Sequence, residues 1–140
     1  MKKLVSTRNL SREEWLKYRK NGIGGSDAAA VCGLNPYSSP IKVYYDKITD
    51  EISRDDNEAM RQGRDLEGYV AKRFMEETGL KVRRANGIFY DEAYPVMFAD
   101  ADRLVVGENA GLECKTVSPY SSGQWEDGKI PIHYQIQCHH

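Results

Sequence analysis

The sequence predicts a single α/β domain in which a mixed central β-sheet is flanked by helices. The length of 140 residues suffices for one hydrophobic core but not for two independent cores. The first 79 residues carry capped segments with apolar residues at helical spacing, and strand-like runs separated by turn residues follow them. Elements of both kinds in one short chain are typical of an α/β architecture.

Composition and hydropathy exclude several classes of protein. Lys and Arg total 20 against 21 acids, so no overall basic excess indicates a nucleic-acid-binding protein. Any DNA contact must therefore come from local basic clusters, and each of these fits an ordinary solvated face equally well: 12–20, 61–64, 72–73 and 81–84. The chain lacks an apolar run of membrane-spanning length and a recognisable signal peptide, so we expect a cytoplasmic protein without membrane contact.

The cysteines favour a reducing environment. Cys32, Cys114 and Cys138 are odd in number, lack close Cys-Cys spacing and stand in apolar contexts. We therefore expect reduced, buried thiols and no zinc site.

Helix boundaries can be placed from capping residues. Ser11, three residues before Glu14, forms a capping box that begins a first helix. Ser39 followed by Pro40 predicts the start of another helix, since proline is favoured at the first helical position. A long helix then begins after Asn57 and ends at Gly79.

A glycine-rich loop, Gly22 to Asp27, joins the first helix to a short helical segment at 28–32. Small residues at a helix start leave backbone N–H groups able to bind an anion such as phosphate, and Arg19 lies nearby in the chain. A helix cap formed by Ser26 or Asp27 explains the same residues, and the loop alone favours the cap.

The long helix carries an acid beside its apolar face. That face is predicted from residues at helical spacing: Met60, Leu66, Val70, Phe74 and Met75. Glu67 lies alongside it, one turn from Gly63, which would admit close approach of another segment. A salt bridge with Arg64 or Lys72 explains Glu67 as well as a functional role does.

Three aromatic residues invite a comparison between base stacking and packing. Tyr44 and Tyr45 lie within a helical segment, where tyrosines more often belong to the core than stack on unpaired bases. Trp125 follows a turn-rich loop at 118–125, and packing is again the favoured interpretation.

The acids in the second half of the chain converge on a predicted hairpin. Apolar runs at 97–106 and 112–117 are joined by a turn-rich segment, which indicates two antiparallel strands. Side chains alternate along a strand, so Glu113 and Lys115 share a face and the turn brings Asp102 close to them. An ion pair on a solvated face explains a typical Glu-x-Lys. Here apolar residues flank the charges, and charges inside a sheet need a metal or each other.

The order of these motifs resembles a known family. An acid in one strand, Glu-x-Lys in the next and a Glu on a preceding helix resemble the PD-(D/E)xK nuclease core. Three segments in this order are similar to the YqaJ viral recombinase family of lambda exonuclease-like nucleases: GRDLEGYVAKRF, ADADRLVVGENAGLECKT and Tyr-Gln-Ile-Gln. The likeness runs from about Arg8 to the last residue. In one departure Ala101 precedes Asp102, where the family usually has Pro-Asp, and the carboxylate is retained.

The resemblance implies a restriction-endonuclease-like core that uses Mg²⁺, with Mn²⁺ able to substitute. The implied metal ligands are three side chains and one backbone carbonyl, which belong to Glu67, Asp102, Glu113 and Cys114. Lys115 would position the attacking water, and Gln135 corresponds to a glutamine that orients the site. Arg19 and Ser26 match the spacing of a pair that binds the terminal 5′-phosphate of DNA.

For the whole protein, the resemblance implies a 5′-to-3′ exonuclease that acts on double-stranded DNA ends in phage-type homologous recombination. It further implies a ring-shaped homotrimer, with a single-strand annealing recombinase as a candidate partner. Two alternatives stay open. One is a catalytically silent DNA-binding or assembly module on the same fold, and the other is a restriction-type endonuclease, which would not need Arg19 and Ser26.

The end of the chain predicts a final helix that is cut short. Pro131 and Ile132 begin it, and Tyr134 and Gln135 fall in its first turns. The sequence stops at His140 within an apolar periodic segment that has no Gly, Asn or Pro to end it. We therefore expect a truncated chain.

Overall fold

The computed structural model describes residues 1–51 and 57–140. Its five α-helices in chain order are α1 Arg12–Arg19, α2 Gly25–Val31, α3 Pro40–Ile48, α4 Glu58–Thr78 and α5 Ile132–His139. Its strands are β1 Lys2–Val5, β2 Ile23–Gly24, β3 Val82–Arg84, β4 Ile88–Tyr90, β5 Met97–Ala99, β6 Arg103–Val105 and β7 Gly111–Leu112. A 3₁₀ segment covers Pro119–Gly128. The predicted α/β class is confirmed.

The predicted helix boundaries agree with the capping geometry. Ser11 and Glu14 form both hydrogen bonds of a capping box at the start of α1. The Ser39 and Asn57 side chains accept backbone N–H groups in the first turns of α3 and α4. Gly79 ends α4 with a φ of 73°, a left-handed conformation that glycine adopts without steric cost.

The described residues divide into two compact units. The first contains residues 1–51, 87–100 and 123–140, and the second contains 57–86 and 101–122. Because each unit has its own β-sheet, the expected single central sheet is replaced by two separate sheets.

The first unit is built on a mixed four-stranded sheet in the order β1-β4-β5-β2, in which only β2 and β5 run parallel. Its core includes Ala28, Ala29 and Ala30 of α2, all buried. Helix α5 packs closely on the start of α2, since a Cβ added at Gly25 would lie 3.0 Å from the Gln137 carbonyl oxygen.

The second unit contains α4 and an antiparallel three-stranded sheet in the order β3-β6-β7. Ala71 is the buried residue of α4. The helix reaches the segment that follows β7, because a Cβ at Gly63 would make ordinary contact, at 3.5 Å, with Oγ1 of Thr116. This arrangement brings Glu67, one turn along α4, toward the hairpin.

Two strand predictions are wrong. The run 97–106 is divided between β5 in the first unit and β6 in the second, with residues 100–102 outside both strands. In the run 112–117 only Leu112 is in a strand, and residues 113–118 have no regular secondary structure. Apolar character alone predicted both runs, and it does not show where the ladder hydrogen bonds stop.

Several burial predictions are also wrong. Tyr44 and Tyr45 are both more than half exposed, and their rings instead contact one another edge to face. Cys32 and Cys138 are exposed free thiols, and Cys114 is half-buried. The predicted apolar face of α4 is only partly correct. Met60 and Leu66 are exposed, whereas the other three residues are half-buried beside Ala71: Val70, Phe74 and Met75.

None of the helices seen in residues 1–51 and 57–140 combines the length and hydropathy that crossing a membrane requires. The longest, α4, carries charged residues throughout its length.

Candidate active site

The hairpin of β6 and β7 positions Asp102 opposite Glu113. Arg103 pairs with Leu112 in the antiparallel ladder, so the residues just beyond the pair face one another. The Cys114 backbone N–H donates a hydrogen bond of 2.7 Å to Oδ2 of Asp102. The predicted adjacency of the two acidic segments is therefore confirmed, although Glu113 lies just beyond the strand.

Glu113 and Lys115 form a close ion pair. Nζ of Lys115 lies 2.7 Å from Oε1 of Glu113, and both side chains are less than a third exposed. The convergence predicted from strand alternation is thus present, but irregular backbone produces it.

Glu67 is held by a residue that the sequence analysis did not single out. The guanidinium of Arg103 contacts the Glu67 carboxylate and also donates to the Asp102 carbonyl oxygen at 2.8 Å. Of the anticipated partners, Lys72 instead lies 3.8 Å from Glu76. A signal was present in the sequence: Arg103 and Val105 share one face of a strand, and an arginine on a buried face requires an anionic partner.

Asp102 is electrostatically strained. Burial raises the pKa of its carboxyl group from 3.8 to about 6. The Cys114 N–H opposes that rise, the negative charges of Glu113 and Glu67 add to it, and Lys115 opposes it weakly. The three acids are thus near enough to repel one another, which is the environment that a bound cation relieves.

Cys114 contributes backbone rather than thiolate chemistry. Burial raises the pKa of its thiol to about 11, and the charge of Asp102 adds to this, so the sulfur stays protonated at neutral pH.

The donor chemistry of this cluster fits a hard divalent cation, since carboxylate oxygens are the ligands that Mg²⁺ and Mn²⁺ prefer. The spacing is not preassembled: within the described ranges, no three Asp, Glu, His or Cys side chains are already gathered at metal-binding distances. The carboxylates are instead turned toward protein donors, namely Arg103, Lys115 and the Cys114 N–H.

A second cluster lies in the first unit, around Arg19. Its guanidinium donates to the Ser26 hydroxyl, lies over the Trp15 ring at 4.8 Å, and stands 3.7 Å from Oδ2 of Asp27. Arg19 and Ser26 are therefore brought together, as the family resemblance implies. The expected cap is assigned to Asp27 alone, whose carboxylate accepts the Gly24 N–H at 3.0 Å.

Lys47 supports this cluster and was not predicted. Its ammonium lies 2.8 Å from the Asp27 carboxylate and donates to the Arg19 carbonyl at 2.9 Å. No local sequence signal identifies Lys47, because both partners are distant in the chain.

Gln135 lies on α5, in the first unit. Its side-chain amide donates to the Ile130 carbonyl at 2.6 Å, which ties the glutamine to the start of its own helix. Trp125 packs at 5.3 Å from the Tyr134 ring, in agreement with a packing role.

Comparison with known proteins identifies the family. Residues 14–140 match the family model described as the YqaJ-like viral recombinase domain. The chain belongs to this family.

A full-length relative and two solved structures extend the comparison. The domain is 43% identical over 138 residues to a Bacillus subtilis (strain 168) protein described as uncharacterized protein YqaJ, covering 98% of this chain and 43% of that protein. It also matches crystal structures of LHK-Exo, an alkaline exonuclease from Laribacter hongkongensis, alone and with dAMP. Their TM-scores are 0.70 and 0.71 at 25% identity, with 89% of this chain and 64% of LHK-Exo covered. The YqaJ-like domain thus shares the PD-(D/E)xK fold, and it spans less than two thirds of each of these relatives.

The strain at Asp102 predicts a pH-dependent stability of the metal-free YqaJ-like domain. The folded pKa lies above the unfolded one, so this carboxyl stabilises the fold most below about pH 4, and that contribution is lost as pH rises through about 6. Asp102→Asn keeps an acceptor for the Cys114 N–H without the charge. The free energy of unfolding of Asp102→Asn should therefore increase relative to that of wild type as pH rises. Urea denaturation with a chelator present measures both.

Glu108→Gln is the matched control, because Glu108 is an exposed carboxylate in the turn of the same hairpin. Its stability difference from wild type should vary little across this pH range. If the free energies of unfolding of Asp102→Asn and wild type differed by the same amount at every pH, Asp102 would not have the raised pKa described above.

Proposed function

We propose that this chain carries the catalytic core of a Mg²⁺- or Mn²⁺-dependent exonuclease that degrades double-stranded DNA from its ends in the 5′-to-3′ direction. The observation that carries the proposal is Asp102, a half-buried carboxylate with a raised pKa beside Glu113 and Lys115. Groups at catalytic sites often have pKa values that differ from their ordinary values in solution. Membership of the YqaJ-like family and the fold shared with an alkaline exonuclease support the same reaction class.

The proposed metal ligands are Asp102, Glu113, Glu67 and the backbone carbonyl of Cys114. Divalent ions bound there would stabilise the negative charge that develops on the phosphate oxygens and on the leaving oxygen. The hydrogen bond from the Cys114 N–H to Asp102 supports this role by orienting the carboxylate.

Lys115 provides a positive charge close to the acids. Its ammonium pairs with Glu113 and has three donors, so it is suited to orient a water for attack and to offset charge in the transition state. We assign Gln135 an orienting role on the family resemblance.

Arg19 and Ser26 are proposed to bind the terminal 5′-phosphate. The guanidinium is about a quarter exposed, and its contacts with Ser26 and Trp15 hold its planar fork in place. Charge-assisted hydrogen bonds from a preorganised arginine are strong and match phosphate geometry. Lys47 adds to this by pairing with the Asp27 carboxylate, which also lies 3.7 Å from the Arg19 guanidinium.

The cellular assembly follows the family resemblance. We propose a ring-shaped homotrimer around DNA that acts in phage-type recombination together with a single-strand annealing recombinase. With a net charge of -1, the DNA contacts of such an assembly would come from local basic clusters.

Cleavage should depend on a divalent cation and on the acids of the second unit. In the full-length protein, Asp102→Asn, Glu113→Gln and Lys115→Ala should each lower the rate on linear duplex DNA by at least about 100-fold, since one ligand or one transition-state charge is lost. The measurement is nucleotide release from end-labelled DNA with Mg²⁺ or Mn²⁺.

Glu108→Gln serves as the control in this assay and should cleave at the wild-type rate. Covalently closed circular DNA should resist the wild-type protein, because an exonuclease needs an end. Undiminished activity of Asp102→Asn would refute the assignment of the site, and cleavage of closed circles would favour the endonuclease alternative.

The end-binding pair predicts a preference for phosphorylated ends. Wild type should digest 5′-phosphorylated duplexes at least about tenfold faster than 5′-hydroxyl duplexes at low salt, because a hydroxyl cannot replace the charge-assisted bonds. Arg19→Ala should flatten that ratio. Lys17→Ala, which removes an equal charge from the exposed side of the same helix, should keep it.

Equal wild-type rates on the two kinds of end would argue against a phosphate pocket. Ser26 would then serve only as a partner of Arg19 in the first turn of α2.

A further inference from the structure

Arg103 is set apart by its burial. Arg103 is the buried residue among the charged and polar residues of ranges 1–51 and 57–140, and 8% of its side chain is exposed. A guanidinium in such a place stays charged and must be compensated. Its compensation comes from the Glu67 carboxylate and from the carbonyl oxygen of Asp102.

We propose that Arg103 is an internal counter-ion that competes with the divalent cation for Glu67, a positioning residue that sets the affinity of the site for metal. The inference rests on the proposed function, because Glu67 and Asp102 are proposed metal ligands. In the metal-free protein the guanidinium holds Glu67 near the hairpin and offsets the repulsion among the acids. When a cation binds, Glu67 exchanges the guanidinium for the ion.

Two contacts make this exchange feasible. The first is that a single nitrogen of Arg103 bonds both Glu67 and the Asp102 carbonyl, so loss of Glu67 leaves the guanidinium with a backbone acceptor. The second is that Glu67 is about a third exposed, at 29%, so its own carboxylate can turn toward a cation while it stays partly hydrated.

The sign of the effect follows from charge. A fixed positive charge against a ligand oxygen both occupies that oxygen and repels an arriving dication, so Arg103 weakens metal binding. A purely structural ion pair would act differently: its loss would loosen the site and lower the affinity for metal.

The test measures Mn²⁺ binding to the full-length protein by electron paramagnetic resonance of the free ion, independently of activity. Arg103→Met removes the charge and retains apolar bulk, and should bind Mn²⁺ at least about tenfold more tightly, because a unit charge about 4 Å away acts strongly in a partly buried site. Its metal-free stability should fall. Arg103→Lys keeps a cation there and should stay near the wild-type affinity.

A Glu67→Gln background isolates the competition. The gain from Arg103→Met should be much smaller there, since the contested oxygen no longer carries charge. Unchanged or weaker Mn²⁺ binding by Arg103→Met would overturn the inference, as would an equal gain in the Glu67→Gln background. Arg103→Gln, which is neutral but retains N–H donors, repeats the comparison should the methionine variant fail to fold.

Asp102→Asn separates this inference from the proposed function. Wild-type Mn²⁺ binding by Asp102→Asn would refute the metal site itself. If Asp102→Asn loses Mn²⁺ while Arg103→Met binds as wild type does, the metal site stands and only the counter-ion role is refuted.

Discussion

Mutual repulsion among the half-buried carboxylates of one small unit is the constraint on which its structure depends. Burial raises the pKa of Asp102 most, and the nearby charges of Glu113 and Glu67 raise it further. Carboxylates removed from water are tolerated only when each has a donor or a counter-charge. A backbone N–H supplies this for Asp102, Lys115 for Glu113 and Arg103 for Glu67. The hairpin, α4 and the segment after β7 are each required to place one of these pairs, so the electrostatic requirement and the local fold are satisfied together.

The two units are proposed to have different roles. The carboxylates of the second unit are suited to a hard cation, and we propose that the Arg19 guanidinium of the first unit binds a phosphate. Arg19 is oriented by the Trp15 ring and by Ser26, and Lys47 pairs with the nearby Asp27 carboxylate. The acidic cluster and the Arg19 cluster lie in different units, so a net charge of -1 is compatible with both proposed roles.

The sequence predicted the parts of the fold that local chemistry determines. Caps such as Ser11 and Asn57 locate helix starts because their side chains satisfy backbone donors a few residues away. The hairpin and the approach of Asp102 to Glu113 also followed from turn residues and alternation. The division into two sheets did not, because strand partners are chosen by tertiary contacts that an apolar run does not encode. For Arg103, strand alternation could have shown a buried position, but the identity of its partner, Glu67 on α4, depends on tertiary contacts as well.

A crystal structure of the full-length protein soaked in Mn²⁺ would show whether these acids form the proposed metal site. Anomalous scattering locates manganese without reference to the expected ligands. We expect a peak within roughly 2.0 to 2.6 Å of oxygens from Asp102 and Glu113, the range of hard-cation ligand distances, with Glu67 turned from Arg103 toward the ion. A fully soaked crystal with no manganese at this cluster, and with all three acids still on their protein partners, would contradict it.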